Sequence, residues 1–320
     1  MLDEDAEMSA DDARSLERIA VNKAVVAYGV RMTDGDRSCL AVTDRQRGLY
    51  LLDADRLEVL HRWKLGAEAV GSHAVRVTDR VALISESEAV VLLDADGRPV
   101  WRHRHPAWKR GDFETGCAWF DEEGTPFAVV PTSDYSGCQI VALSARDGST
   151  TSRASISTAP AGVEAIHQRA GWVGLSVGEG QDGAYAWWAR LHAGQLELID
   201  GGWTDEVLFD SHPAGTRILT TPHATGADAI KVRSFPRLEV LREIEPPPGY
   251  WWDFYACFIG TWIVARAHNP DDDDEVLVAI DPDNRISMLT RTEDPICPGP
   301  AGSWISAGSD GIARWKLTHA

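Results

Sequence analysis

The chain has no apolar run long enough to cross a bilayer as a helix. Its first twenty residues, MLDEDAEMSADDARSLERIA, are acidic where a secretory leader has an apolar core. Neither a spanning helix nor a secretory leader is expected. Cysteine is scarce: the five are Cys39, Cys117, Cys138, Cys257 and Cys297, odd in number and scattered. None forms the short-spaced pair that a structural zinc site needs. They read as buried free thiols in strands, which implies a cytosolic compartment. Cations are also in the minority, with 31 Lys and Arg against 49 Asp and Glu, a net charge of −18. A field of that sign repels phosphate backbones and anionic lipid, so neither nucleic acid nor a membrane is expected as a partner. Finally, no segment after about residue 16 carries a long helical period. The expected class is all-β, after an acidic tail or short helix over residues 1–16.

What the chain does have is a hairpin written repeatedly. LYLLDADRLEVLHRWKL starts at Leu49 and AVVLLDADGRPVWRHRHP at Ala89. Further copies start at Gln139, Ala184, Ala229 and Val276, and GIARWKLTHA from Gly311 is a shortened one. Each is a β-rich run, a turn of Asp, Gly, Asn or Pro, and a second β-rich run. The period, about 44 residues, is that of a propeller blade. A second repeat opens strands with a small residue and an aromatic: Gly171-Trp172, Thr261-Trp262 and Ser303-Trp304, with Pro126-Phe127 a looser copy. Together they predict a single seven-bladed β-propeller over residues 17–320. Its blades fall near 21–66, 67–107, 112–158, 162–202, 204–247, 250–292 and 296–320. The last blade ends after its third strand, so residues 16–21 are expected to supply the fourth and remove a free edge.

Two of these segments carry a family resemblance. Asp310-Gly311-Ile312-Ala313-Arg314-Trp315 resembles the end of a WD40 blade. Leu93-Asp94-Ala95-Asp96-Gly97-Arg98-Pro99-Val100-Trp101 resembles the turn and tryptophan of a quinoprotein-type blade. The chain is thus similar to the WD40-type and quinoprotein-like propellers along nearly its whole length. The Gly-His and Trp-Asp pairs of well-formed WD40 repeats are missing from the other blades. The resemblance implies a platform for protein partners.

The chemistry-bearing motifs are few. Gly174-Leu175-Ser176-Val177-Gly178 matches a nucleophile pattern, but it lies in a β run with no helix after it, so it reads as strand. Asp53-Ala54-Asp55, Asp94-Ala95-Asp96 and Asp281-Pro282-Asp283 lack the remaining calcium ligands and read as turns. Asp271 to Glu275 is five adjacent carboxylates in a loop, expected to be solvated. No metal and no other cofactor is implied.

Two segments stand out as contact surfaces. Trp101 to Arg110, WRHRHPAWKR, is basic and aromatic within an acidic chain. Pro246 to Tyr255, PPPGYWWDFY, delivers bulky residues from a stiff proline run. The expected partner-binding anchors are Arg102, Arg104, Trp108, Trp203, Tyr250, Trp251 and Trp252, because Trp, Tyr and Arg dominate interface energetics. The leading reading is a scaffold that binds another protein and needs no catalysis; the sequence sets no oligomeric state. The alternative is a small-molecule enzyme or cation binder at the mouth of the central channel. That mouth would be ringed by His73, Glu114, Glu164, Asp205, Glu206 and Asp253. His73, Glu114, Glu164 and Asp253 would be its acid–base groups.

Overall fold

The computed structural model describes residues 15–23, 25, 27–32, 38–44, 46–109, 115–167, 171–180, 183–223, 228–271, 274–291, 296–308 and 311–318. The expected tail therefore lies outside the described residues, save that Ser15 and Leu16 already belong to a strand. Among the described residues there is no α-helix, hence none long and apolar enough to cross a membrane.

The strands form seven four-stranded antiparallel sheets, each a blade. Blade one holds β2 (Ala27–Met32), β3 (Cys39–Asp44), β4 (Gly48–Asp53) and β5 (Val59–Lys64). Blade two holds β6 (Ala74–Arg76), β7 (Val81–Ser85), β8 (Ala89–Leu93) and β9 (Pro99–Arg104). Blade three holds β10 (Ala118–Phe120), β11 (Pro126–Pro131), β12 (Cys138–Leu143) and β13 (Thr150–Ile156). Blade four holds β14 (Gly162–His167), β15 (Val173–Gly178), β16 (Ala184–His192) and β17 (Gln195–Asp200). Blade five holds β18 (Glu206–Ser211), β19 (Arg217–Pro222), β20 (Ile230–Ser234) and β21 (Val240–Ile244). Blade six holds β22 (Trp251–Ile259), β23 (Trp262–Asn269), β24 (Asp274–Ile280) and β25 (Ile286–Arg291). Blade seven holds β26 (Ile296–Pro298), β27 (Ser303–Gly308) and β28 (Gly311–Thr318). Its fourth strand is β1 (Ser15–Asn22), which pairs with β28 from Ser15↔Thr318 to Asn22↔Ile312.

Burial explains the sequence pattern of each blade. Middle strands such as β7 and β8, VALIS and AVVLL, are buried at every position. Neighbouring blades cover both of their faces, so they read as continuous apolar runs rather than alternating ones. The outer strands face solvent and alternate: in β5, VLHRWK, only Trp63 is fully buried. The core accordingly lies between blades. Leu49, Leu51 and Trp63 of blade one pack with Val75, Ala82 and Val91 of blade two. Leu40 and Leu52 of blade one pack with Ile305 and Ile312 of blade seven.

A polar latch repeats along the outer strands. The Trp63 indole N–H donates to the Asp94 carbonyl at 3.0 Å, and Trp101 donates to the Ala145 carbonyl at 3.0 Å. Two residues earlier in β5, His61 meets the Ala95 carbonyl at 2.8 Å; two residues later in β9, His103 meets the Gly148 carbonyl at 3.0 Å. In each case an outer strand grips the turn between the third and fourth strands of the next blade. Arg242 of blade five does the same, donating to the Asp281 carbonyl at 2.6 Å. The aspartates of these turns accept backbone N–H groups, Asp53 from Asp55 and Arg56 and Asp281 from Asp283 and Arg285. That is Asx-turn chemistry.

Candidate functional site

Antiparallel order sorts the connections onto two faces. Segments leaving a fourth strand for the next blade emerge beside the loops that join second to third strands. Both sets surround the starts of the inner strands β6, β10, β14, β18 and β22. Glu164, Asp205, Glu206, Asp253 and the expected partner anchors belong to this loop face or to strands with an end there.

Blades five and six each pair an inner-strand acid near this face with cations of their own strands. Glu206 starts β18 and is 4% exposed. Its carboxylate accepts from the Thr220 hydroxyl at 2.6 Å, from Lys231 at 2.7 Å and from Arg233 at 2.6 Å. Burial alone would raise its pKa, but the hydrogen bonds from Arg233, Lys231 and Thr220 outweigh it and hold the acid below the usual carboxylate range. In blade six, Asp253 of β22 pairs with Arg266 of β23, and Arg266 also lies 3.4 Å from Glu275 of β24. These ladders run from first to third strand and commit Glu206 and Asp253 to cationic neighbours.

His73, just before β6, is 7% exposed, and its Nδ1 accepts the Ser85 backbone N–H at 3.3 Å. Glu114 lies outside the described residues. Glu164 on β14 and Asp205 before β18 are exposed. Around Asp253 the structure gathers a group that sequence reasoning missed in part. The Arg266 guanidinium lies 4.5 Å from the Tyr255 ring centroid, and Phe209 packs edge-on to that ring at 5.4 Å. Burial raises the Tyr255 phenol above its ordinary pKa; Arg266 opposes this, while Asp253, Glu164 and Glu275 add to it.

The expected anchors divide. Trp108 is 6% exposed and Trp252 is 1% exposed, so neither presents a surface to a partner. Trp252 donates its indole N–H to the Ile244 carbonyl at 2.9 Å and plugs the gap between blades five and six. Trp108 packs into the core shared by blades two to four. Arg102 is exposed but ion-paired to Glu86, and Arg104 is exposed. Lys109 sits 3.6 Å above the Tyr135 ring, and Arg110 lies outside the described residues. Trp203 is half-buried, edge-on to Trp188 at 5.9 Å, with the Arg233 guanidinium 4.5 Å from its ring. Tyr250 and Trp251 are half-buried. Ser176 is buried inside β15, paired with Glu164 and Ala186, so the Gly-x-Ser-x-Gly match is strand.

Two clefts open on the loop face at blades five and six. A cavity of about 360 Å³ is walled by Glu245, Pro247, Tyr250, Trp251, Pro270 and Asp271, among others. A second, about 220 Å³, lies among Asp205, Asp228, Glu243 and Glu245. Phe254 of β22 is 40% exposed, a large apolar group on an inner strand. It is held there by a register shift between Trp252 and Ala256, and its carbonyl accepts the Thr221 hydroxyl at 3.2 Å. No group of three or more His, Cys, Asp or Glu among the described residues is placed to hold a metal ion.

The chain is a seven-bladed β-propeller. No family model and no curated protein matches it. Its backbone is similar to that of the β-propeller domain of Myceliophteria thermophila Cps50 (Swd1), with a TM-score of 0.65 at 12% identity over 95% of this chain and 100% of that one. It is also similar to Kuenenia stuttgartiensis hydrazine synthase, with a TM-score of 0.56 at 12% identity over 92% of this chain and 96% of that one. At this identity the likeness shows the fold alone. The same ring thus occurs in a propeller domain and in an enzyme, and function has to be argued from this chain's own surface.

Proposed function

We propose that this propeller is a cytosolic scaffold that binds another protein through the loop face of blades five and six. The observation that carries the reading is Phe254, 40% exposed on β22, the strand whose first residue, Trp251, lines the larger cleft with Tyr250. A large exposed aromatic near a cleft lined by half-buried ones is what interface anchors look like before a partner covers them. The committed state of Glu206 and Asp253 supports binding over acid–base catalysis. The four buried thiols, Cys39, Cys117, Cys138 and Cys257, support a reducing compartment. A small-molecule site is the second reading, favoured by the grouping of Tyr255, Glu164, Asp253 and Arg266 at the channel.

The test is native mass spectrometry of the tagged full chain isolated from its own host, beside Phe254→Ser. A stoichiometric protein partner that the variant loses, with an unchanged melting curve, supports the scaffold. A bare monomer carrying a small molecule, or a partner indifferent to Phe254, overturns it.

A further inference from the structure

The cleft beside Tyr250 and Trp251 is built before any partner arrives. Pro247-Pro248-Gly249-Tyr250 is a tight turn closed by the Tyr250 N–H on the Pro247 carbonyl at 2.9 Å, with Gly249 at φ 80°. Proline at the second position and a left-handed glycine at the third are the demands of a type II turn. After the turn, β22 begins, and its side chains alternate between faces. Trp252 points in and is pinned to Ile244, so Trp251 is left on the other side, lining the cavity. The wall is stiff, and little conformational entropy is lost when something docks on it.

The rim of this wall is negative. Glu245 borders both cavities, Asp271 faces the proline run, and Asp205, Asp228 and Glu243 line the adjoining one. Among the described residues no ion pair neutralises any of these five carboxylates. Lys231 is the one cation on either lining, and it is spent on Glu206. An aromatic and proline wall edged by unpaired acids complements a cation with a flat, weakly hydrated face.

We propose that the cleft between blades five and six takes an extended, arginine-bearing segment of the partner protein. Guanidinium groups stack on Trp251 and Tyr250 while Glu245 and Asp271 receive their N–H donors. The proposal rests on the scaffold reading and adds the chemistry of what is bound.

The experiment is fluorescence anisotropy of a labelled peptide of alternating arginine and alanine, with lysine–alanine and glutamate–alanine peptides as comparisons. The wild-type chain is titrated beside Glu245→Lys with Asp271→Lys, and beside Glu122→Lys with Glu123→Lys on the opposite face. Melting curves check that each variant folds. The arginine peptide should bind most tightly, and the cleft reversal should weaken it about tenfold or more, with the opposite-face reversal having far less effect. Trp251→Leu should erase the preference for arginine over lysine. No binding, equal loss in both double variants, or no loss in the cleft variant overturns the proposal; equal loss would mean that net charge alone attracts the peptide. A host partner that stays on the cleft variant sinks this site and leaves the scaffold standing. Absence of any host partner sinks the scaffold, and the titration still decides the cleft.

Discussion

Arg314 in the third strand of blade seven is tied to Asp55 in a turn of blade one. Its guanidinium lies 2.8 Å from the Asp55 carboxylate and donates to the Asp55 carbonyl at 3.0 Å. It is 9% exposed and also donates to the Ser303 hydroxyl at 2.8 Å. Asn22, at the end of β1, adds a bond to the Leu57 carbonyl of the same turn at 2.8 Å. The ring is thus closed twice, once by β1 pairing with β28 and once by side chains gripping the first blade. Asn22, on the outer strand, makes the same latch that Trp63 and Trp101 make elsewhere, and Arg314 reinforces it from the third strand.

Arg314→Ala should therefore lower stability by about 2–4 kcal/mol, because it strips a buried hydroxyl and a turn carbonyl of their donor. Chemical denaturation measures this. Removing residues 1–22 should lower the melting temperature further, since it also exposes the edge of β28. An unchanged melt in the truncated chain would mean that the strand pairing does not close the ring.

Glu206→Ala should cost about 3 kcal/mol, the lower end for breaking a buried pair, because Lys231 keeps some contact with water. Gln in its place should recover part of the loss by retaining acceptors for Thr220 and Arg233. The depressed pKa also fixes the sign of the acid response. The carboxylate's contribution is complete above its unfolded-state pKa near 4.5 and is lost as pH falls through the lower folded value. The wild-type melt should fall in that acid range more steeply than that of Glu206→Gln.

His105, in the segment joining blades two and three, is held below its ordinary pKa of 6.5 chiefly by burial. Its folded form binds a proton less readily than the unfolded chain does. Stability should therefore be full above pH 6.5 and decline as pH falls through 6.5 toward the folded value. His105→Asn should flatten that part of the profile, measured as melting temperature against pH.

Trp101→Phe should remove one hydrogen bond to the Ala145 turn and little packing, costing about 1 kcal/mol. Trp101→Ala should cost about 3–5 kcal/mol, since it also opens a gap between blades two and three. Equal losses would show that the bond, not the ring, matters.

The repeated hairpins, their turns and the closing strand were all legible in the sequence. They depend on local signals: apolar runs of strand length, Asp and Gly at turns, and a last blade short of one strand. The tryptophans were legible as repeated features but not in their roles. Trp108, Trp251 and Trp252 share a composition, yet two are plugs and one lines a cleft, because alternation along β22 and the gap between blades decide which side each faces. The same holds for the acids. Glu206 and Asp253 looked like a channel ring, and only the neighbouring second and third strands, carrying Lys231, Arg233 and Arg266, turned them into internal ladders. Strand periodicity is written within a few residues of chain; the partner of a charge is set by which strand lies 4.7–4.9 Å away, and that register belongs to the folded sheet.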